Sequence, residues 1–234
     1  MMGCSTHEDV LQPSNSSLKF VSEHKLEIPE PSGLSLGKNN LSLWTVSDPP
    51  SNKIYEMDLQ GRILRTLNYT GDDLEGIVYD STKNVLWIVE ERKREVVKIS
   101  IDGIELERHA IPITGNEDNG FEGICFFGGY RFWIVNEKNP GLLLEVNTDF
   151  SIHQQYDLNI ADDYSGICCD TTDGQFWIVS DESQLLFLWN QKQGLIEKIN
   201  IPVKKAEGIA IDFKNNFIYI VSDSEEKLHI FKFP

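Results

Sequence analysis

The sequence predicts an all-β fold: a five-bladed β-propeller of four-stranded antiparallel blades, in which an N-terminal strand completes the last blade. Three observations predict it. Gly33, Gly76, Gly123, Gly166 and Gly208 each stand between a Glu or Ser and an Ile or Leu, at spacings of 43, 47, 43 and 42 residues, a propeller-sized period. Ten or eleven residues past each glycine an aromatic and a β-branched stretch recur, as in Trp87-Ile88-Val89 and Trp177-Ile178-Val179. The fifth copy stops at Pro234 with only three strand-like segments.

Each copy reads as a meander. Its first segment carries the glycine, where a missing side chain suits close backbone approach. Its second carries Trp44, Trp87, Trp133, Trp177 or Tyr219, large apolar bodies expected to pack between blades. The third covers Ile54–Met57, Val96–Ile99, Leu142–Val146, Leu185–Leu188 and Leu228–Phe231. A fourth, more polar segment follows in four copies, at Ile63–Leu67, Leu106–Ile111, Ile152–Leu158 and Leu195–Ile199. Turn signals such as Gln60-Gly61, Asp102-Gly103 and Asn215-Asn216 separate them, and no helical period competes. An uncovered outer edge invites pairing with other chains. The alternating segment Leu18–Ile28 is therefore expected beside Lys227–Phe233, which makes residues 18–234 the propeller and 1–17 a flexible tether.

Lys and Arg total 21 against 37 Asp and Glu, a net charge of −16. A phosphate backbone would be repelled, so nucleic acid is not an expected partner, whereas cations are favoured. No stretch approaches the roughly 18 consecutive apolar residues of a membrane span.

The four cysteines form no zinc-like spacing. Cys125 and Cys168 each follow Gly-Ile and read as small core residues of neighbouring copies, with Cys169 pointing to the opposite side. No disulfide framework is expected. Met2-Gly3-Cys4-Ser5, ahead of a polar stretch to Ser17, resembles the acylated cysteine and tether of a bacterial lipoprotein after signal-peptide removal. A lipid anchor at Cys4 is the one membrane association expected, and an extracytoplasmic place in the bacterial cell envelope follows. The alternatives are a frayed tail with an incidental thiol and a cytoplasmic protein.

In a meander the start of strand one and the end of strand two share one end of the channel. The residues before the glycines are Ser32, Glu75, Glu122, Ser165 and Glu207. Those closing the second strands are Asp48, Glu91, Glu137, Asp181 and Asp223, with Glu182 adjacent. Asp72, Asp73, Glu117, Asp118, Asp162 and Asp163 lead into the same end. Two carboxylates about 6 Å apart at an effective dielectric near 20 repel by roughly 3 kcal/mol. Several such contacts are large against a stability of about 5–15 kcal/mol, so a bound cation or raised pKa values must relieve them. An all-oxygen donor set points to Ca²⁺, with Mg²⁺ or Mn²⁺ as alternatives. For the column closing the second strands, the competing reading is acceptance of backbone hydrogen bonds in the following turn.

The phrases Gly71-Asp72-Asp73-Leu74-Glu75-Gly76, Gly120-Phe121-Glu122-Gly123, Tyr164-Ser165-Gly166 and Ala206-Glu207-Gly208-Ile209-Ala210, in that order, resemble the SdiA-regulated (YjiK-like) β-propeller family, itself distantly similar to NHL-repeat propellers. The resemblance covers about residues 18–234. It implies a five-bladed propeller associated with calcium, with Glu75, Glu122 and Glu207 as ligands and Ser165 beside them. Ser32 is a weak donor at the first blade.

The expected function is calcium binding by a non-catalytic protein that recognises a small molecule or protein partner at its acidic channel face. The alternative is a calcium-dependent hydrolase of lactonase or phosphoesterase type, with the metal as Lewis acid and Glu91, Glu137 or Glu182 as base. A third reading is a partner-binding scaffold without metal. His7, His24, His109, His153 and His229 fall in the tail or on inferred outer strands, and no Gly-x-Ser-x-Gly elbow occurs.

Overall fold

A computed structural model of the chain describes residues 17–116, 119–127, 131–170 and 172–234. Cys4, His7, Glu117 and Asp118 lie outside the described residues. Five four-stranded antiparallel sheets stand in a ring. Blade 1 contains β2 (Pro31–Leu36), β3 (Leu43–Ser47), β4 (Lys53–Met57) and β5 (Ile63–Thr70). Blade 2 follows with β6 (Leu74–Asp80), β7 (Val85–Glu90), β8 (Glu95–Ser100) and β9 (Glu105–Ala110). Blade 3 holds β10 (Phe121–Phe127), β11 (Arg131–Asn136), β12 (Leu142–Asn147) and β13 (Ile152–Asp157). Blade 4 holds β14 (Gly166–Asp170), β15 (Gln175–Ser180), β16 (Leu185–Asn190) and β17 (Gly194–Asn200). Blade 5 comprises β18 (Ala206–Asp212), β19 (Phe217–Ser222) and β20 (Lys227–Lys232), and its outer strand is β1 (Lys19–Lys25). β1 runs antiparallel to β20, from Lys19 opposite Lys232 to Lys25 opposite Lys227. The predicted architecture and the N-terminal closure are both present. No helix among the described residues is long and apolar enough to cross a membrane.

The core lies between blades. Trp133 of blade 3 meets Phe176 of blade 4 with ring centroids 4.4 Å apart, and Trp87 of blade 2 meets Phe132 of blade 3 at 4.8 Å. Trp44, Trp177 and Tyr219 are likewise buried in clusters that join one blade to the next. Burial of each such side chain contributes on the order of 2–3 kcal/mol, so the recurring aromatic is what holds neighbouring sheets face to face.

At the axis the five glycines of β2, β6, β10, β14 and β18 form a narrow neck. A Cβ on Gly208 would lie 2.6 Å from the Ser32 carbonyl oxygen and the Leu34 nitrogen of blade 1. One on Gly76 would lie 2.9 Å from the Glu122 carbonyl oxygen. Each inner strand therefore lays its backbone directly on the next, and only glycine leaves room.

The expectation of no disulfide is corrected: Cys125 and Cys169 are bonded, with Cα atoms 6.0 Å apart. Side chains alternate along a strand. Cys125 on β10 points toward blade 4 and Cys168 on β14 toward blade 5, which leaves Cys169 aimed back at blade 3 and at Cys125. The opposite side predicted for Cys169 is thus the side that faces its partner. Cys168 remains a thiol, its pKa pushed up to about 12 by burial.

Candidate functional site

Above the glycine neck the channel widens into an acidic mouth of about 330 Å³. The residue before each glycine arrives there through a break in strand pairing. In blade 3, Phe121 pairs with Asn136 and Gly123 with Val135, so Glu122 has no partner on β11. Glu207 is skipped in the same way in blade 5, and the register also shifts across Ser32-Gly33 and Glu75-Gly76. Such bulges rotate a side chain out of the pleat. Here they turn Glu75, Glu122 and Glu207 to the axis.

The second column reaches the mouth from the turns after β3, β7, β11, β15 and β19. Backbone carbonyls of Asp48, Glu91, Asp181 and Asp223 accept the closing hydrogen bonds of the turns, from Ser51, Arg94, Gln184 and Glu226 at 2.9–3.1 Å. Among the described residues none of these carboxylates accepts a hydrogen bond from the turn that follows it, and that of Glu91 accepts from the Gly120 N–H instead. All five acids of this column line the mouth, together with Glu75, Glu122, Glu207 and Ser165.

Among the described residues two carboxylate triads emerge. Asp48, Asp73 and Glu75 can place one ligand oxygen each within 4.8 Å of one another, and so can Glu91, Glu122 and Glu137. In the first triad Ser32 donates its hydroxyl to Glu75 Oε2 at 2.7 Å and Arg92 Nε pairs with Asp73 Oδ2 at 3.2 Å. Asp48 Oδ1 is buried without a hydrogen-bond partner. In the second, Gly120 donates its backbone N–H to Glu91 Oε1 at 2.7 Å, and Lys138 pairs with Glu137 at 2.8 Å. The Glu122 carboxylate, in a residue only 8% exposed, makes no hydrogen bond or ion pair among the described residues.

Electrostatics follows from this crowding. Burial first, then the charge of Glu122, drives Glu75 well above the usual carboxylate range. Burial, then Glu207 and Glu91, does the same to Glu122. Burial raises Glu91 to about 8 despite its Gly120 bond, and raises Glu207 to about 8, with Asp181 adding to it. Asp48, Glu137 and Asp223 are raised as well, burial leading in each.

The remaining expected residues are held otherwise. Lys205, an exposed cation at the rim on the blade 4 and 5 side, sits 3.0 Å from Asp181 and 3.9 Å from Glu207. The Ser165 hydroxyl donates to Asp163 at 3.2 Å and accepts from the Asp181 N–H at 3.1 Å. Asp163 in turn accepts from Ser180 and from the Glu182 N–H, tying the turn after β15. Glu182 does not line the cavity; its carboxylate pairs with Lys138 at 2.9 Å. Sequence reasoning missed Arg92 and Lys205. The available signal was position, since Lys205 lies two residues before Glu207 and Arg92 directly follows Glu91.

Solved structures of similar fold include glutaminyl cyclase from Myxococcus xanthus, with a TM-score of 0.73 at 12% identity over 95% of this chain and 100% of that one. A streptogramin B lyase matches with a TM-score of 0.54 at 19% identity, covering 94% and 74%. Virginiamycin B lyase from Staphylococcus aureus matches at 0.53 and 18%, covering 92% and 74%. Identities this low establish a shared propeller fold and nothing about chemistry. The family model for SdiA-regulated proteins matches residues 21–228, nearly the whole ring and every residue of the acidic mouth, and the chain belongs to the SdiA-regulated family.

Proposed function

We propose that the acidic mouth binds calcium and that the protein is a non-catalytic propeller, acting outside the cytoplasm, that recognises a small molecule or protein partner at this face. Glu122 carries the reading: a carboxylate buried among like charges, with no donor of its own, is stable in ionised form only beside a cation. Glu91 and Glu137 would share that cation with it, while Asp48, Asp73 and Glu75 offer a second set of oxygens. A donor set of carboxylates converging from separate blades suits the flexible oxygen coordination of Ca²⁺ better than the strict octahedron of Mg²⁺. Mn²⁺ stands behind both. Bound calcium would neutralise the mouth and present a positive centre to an anionic or carbonyl group of a ligand.

The Cys125–Cys169 bond supports an oxidising compartment, in keeping with the lipoprotein-like Cys4. Thermal unfolding in calcium and in EGTA tests the metal. Calcium at a hundredfold its Kd raises stability by about 2.7 kcal/mol, or roughly 5–10 °C in Tm for a domain of this size. Glu122→Gln should lose most of that shift. Equal midpoints in calcium and EGTA for the unsubstituted protein would overturn the proposal.

A hydrolase is the second reading, favoured by Glu91, whose pKa of about 8 suits a general base near neutrality. The matching cyclase and lyases are enzymes on this fold. Ester, lactone and phosphoester turnover abolished by chelation would place this reading first.

A further inference from the structure

The ring has a second cavity, of about 470 Å³, on the far side of the glycine neck from the acidic mouth. Its volume falls in the range of small-molecule pockets. Its floor is Leu34, Ile77, Ile124, Ile167 and Ile209, the residues that follow the five glycines, and Phe126 and Phe213 stand on its wall. The neck itself has room for only about 10 Å³, so the two cavities do not communicate.

Charge separates them as sharply as shape. In a chain of net charge −16, no Asp or Glu lines this cavity among the described residues, and the one Lys or Arg among them is Lys214, which has no ion pair or hydrogen bond in the described structure. The acids beside it take neutral donors and keep their charge outside the lining: Asp212 accepts from Asn40 at 3.0 Å and from Asn215, Asp80 from Thr82, and Asp170 from the Thr172 N–H at 2.9 Å. From Glu207 to Phe213 an extended strand covers about 20 Å, more than twice the screening length of about 8 Å at physiological ionic strength. The carboxylates of the mouth are therefore too distant to pair with Lys214.

We propose that this cavity is a separate binding site for a small amphiphilic carboxylate, whose apolar chain lies on the isoleucine floor while its head group meets Lys214. Neutral donors on the rim, among them Asn39 and Ser81, complete the recognition of an anionic head. The site is independent of calcium.

Isothermal titration of the whole protein in EGTA with sodium octanoate and sodium decanoate tests this, with decyltrimethylammonium as the chain of opposite charge. One decanoate should bind per chain, tightening about fourfold for each methylene added to octanoate. Lys214→Glu, at an exposed position, should weaken decanoate about tenfold. Val78→Trp, which fills the cavity from a half-buried wall position, should abolish binding, and Glu122→Gln should leave it unchanged. Absence of decanoate binding to the folded protein would overturn the proposal. So would equal or tighter binding of the ammonium chain, or decanoate binding undiminished by Lys214→Glu. Binding of an apolar peptide in place of decanoate would assign the cavity to a protein partner instead.

Discussion

Glu91 and Glu207 show what a single side chain endures at the mouth. Each is an ordinary carboxylate in the unfolded chain, near 4.5, and burial lifts each to about 8 in the folded one. A raised carboxylate favours folding while it is protonated, and that contribution is lost as pH climbs from about 4.5 toward 8. His229 acts in the opposite sense, because burial lowers its pKa and its cost appears below about 6.5. Metal-free protein in EGTA should therefore lose stability between pH 7 and 8, where the histidine is silent, as read by the urea midpoint. The double replacement Glu91→Gln and Glu207→Gln should flatten that decline. A midpoint that rises across the interval would refute the crowding described for the mouth.

At the scale of the strand, the glycine and the acid beside it form one device. The glycine admits the neighbouring backbone and the bulge before it swings the acid toward the axis. Gly208→Ala adds one methyl group 2.6 Å from two backbone atoms of blade 1. Overpacking of this kind costs about 1–3 kcal/mol, and here backbone must move rather than a side chain, so the upper end is expected by chemical denaturation. An unchanged midpoint would mean that the inner strands do not abut. Repetition made the fold legible: five aromatics and five glycines at one period leave little choice of architecture. The convergence of Glu75, Glu122 and Glu207 could be read for the same reason. Their grouping could not. Period places residues around an axis but says nothing of which neighbour each side chain leans toward. Arg92 pairs with Asp73 and Lys205 with Asp181, and neither side chain recurs at the matching position of another copy although the turns themselves do. The disulfide was hidden for a related reason, since it joins positions offset by one residue between copies, a shift invisible when copies are aligned glycine to glycine.

Two covalent or topological closures act on the ring as a whole. The Cys125–Cys169 bond closes a separation of 44 residues between blades 3 and 4, for which loop entropy gives about 4 kcal/mol as an upper value. Cys125→Ser with Cys169→Ser should lower the reversible unfolding free energy by up to that amount, and no loss would show that the inter-blade packing alone suffices. β1 closes the ring between its first and last blades. Removal of residues 1–25 uncovers the edge of β20, which should broaden the unfolding transition and promote self-association, detectable by light scattering. A monomer that melts as sharply as the full chain would deny β1 its closing role.

The direction of β1 also gives the molecule a heading. Lys19 begins the strand level with Lys232, at the end remote from the mouth, and Lys25 finishes level with Lys227 near it. The chain therefore enters the ring at the end opposite its acids. The acidic mouth and the isoleucine-floored cavity thus open in opposite directions along one axis, so that a ligand seated in one leaves the other open to solvent.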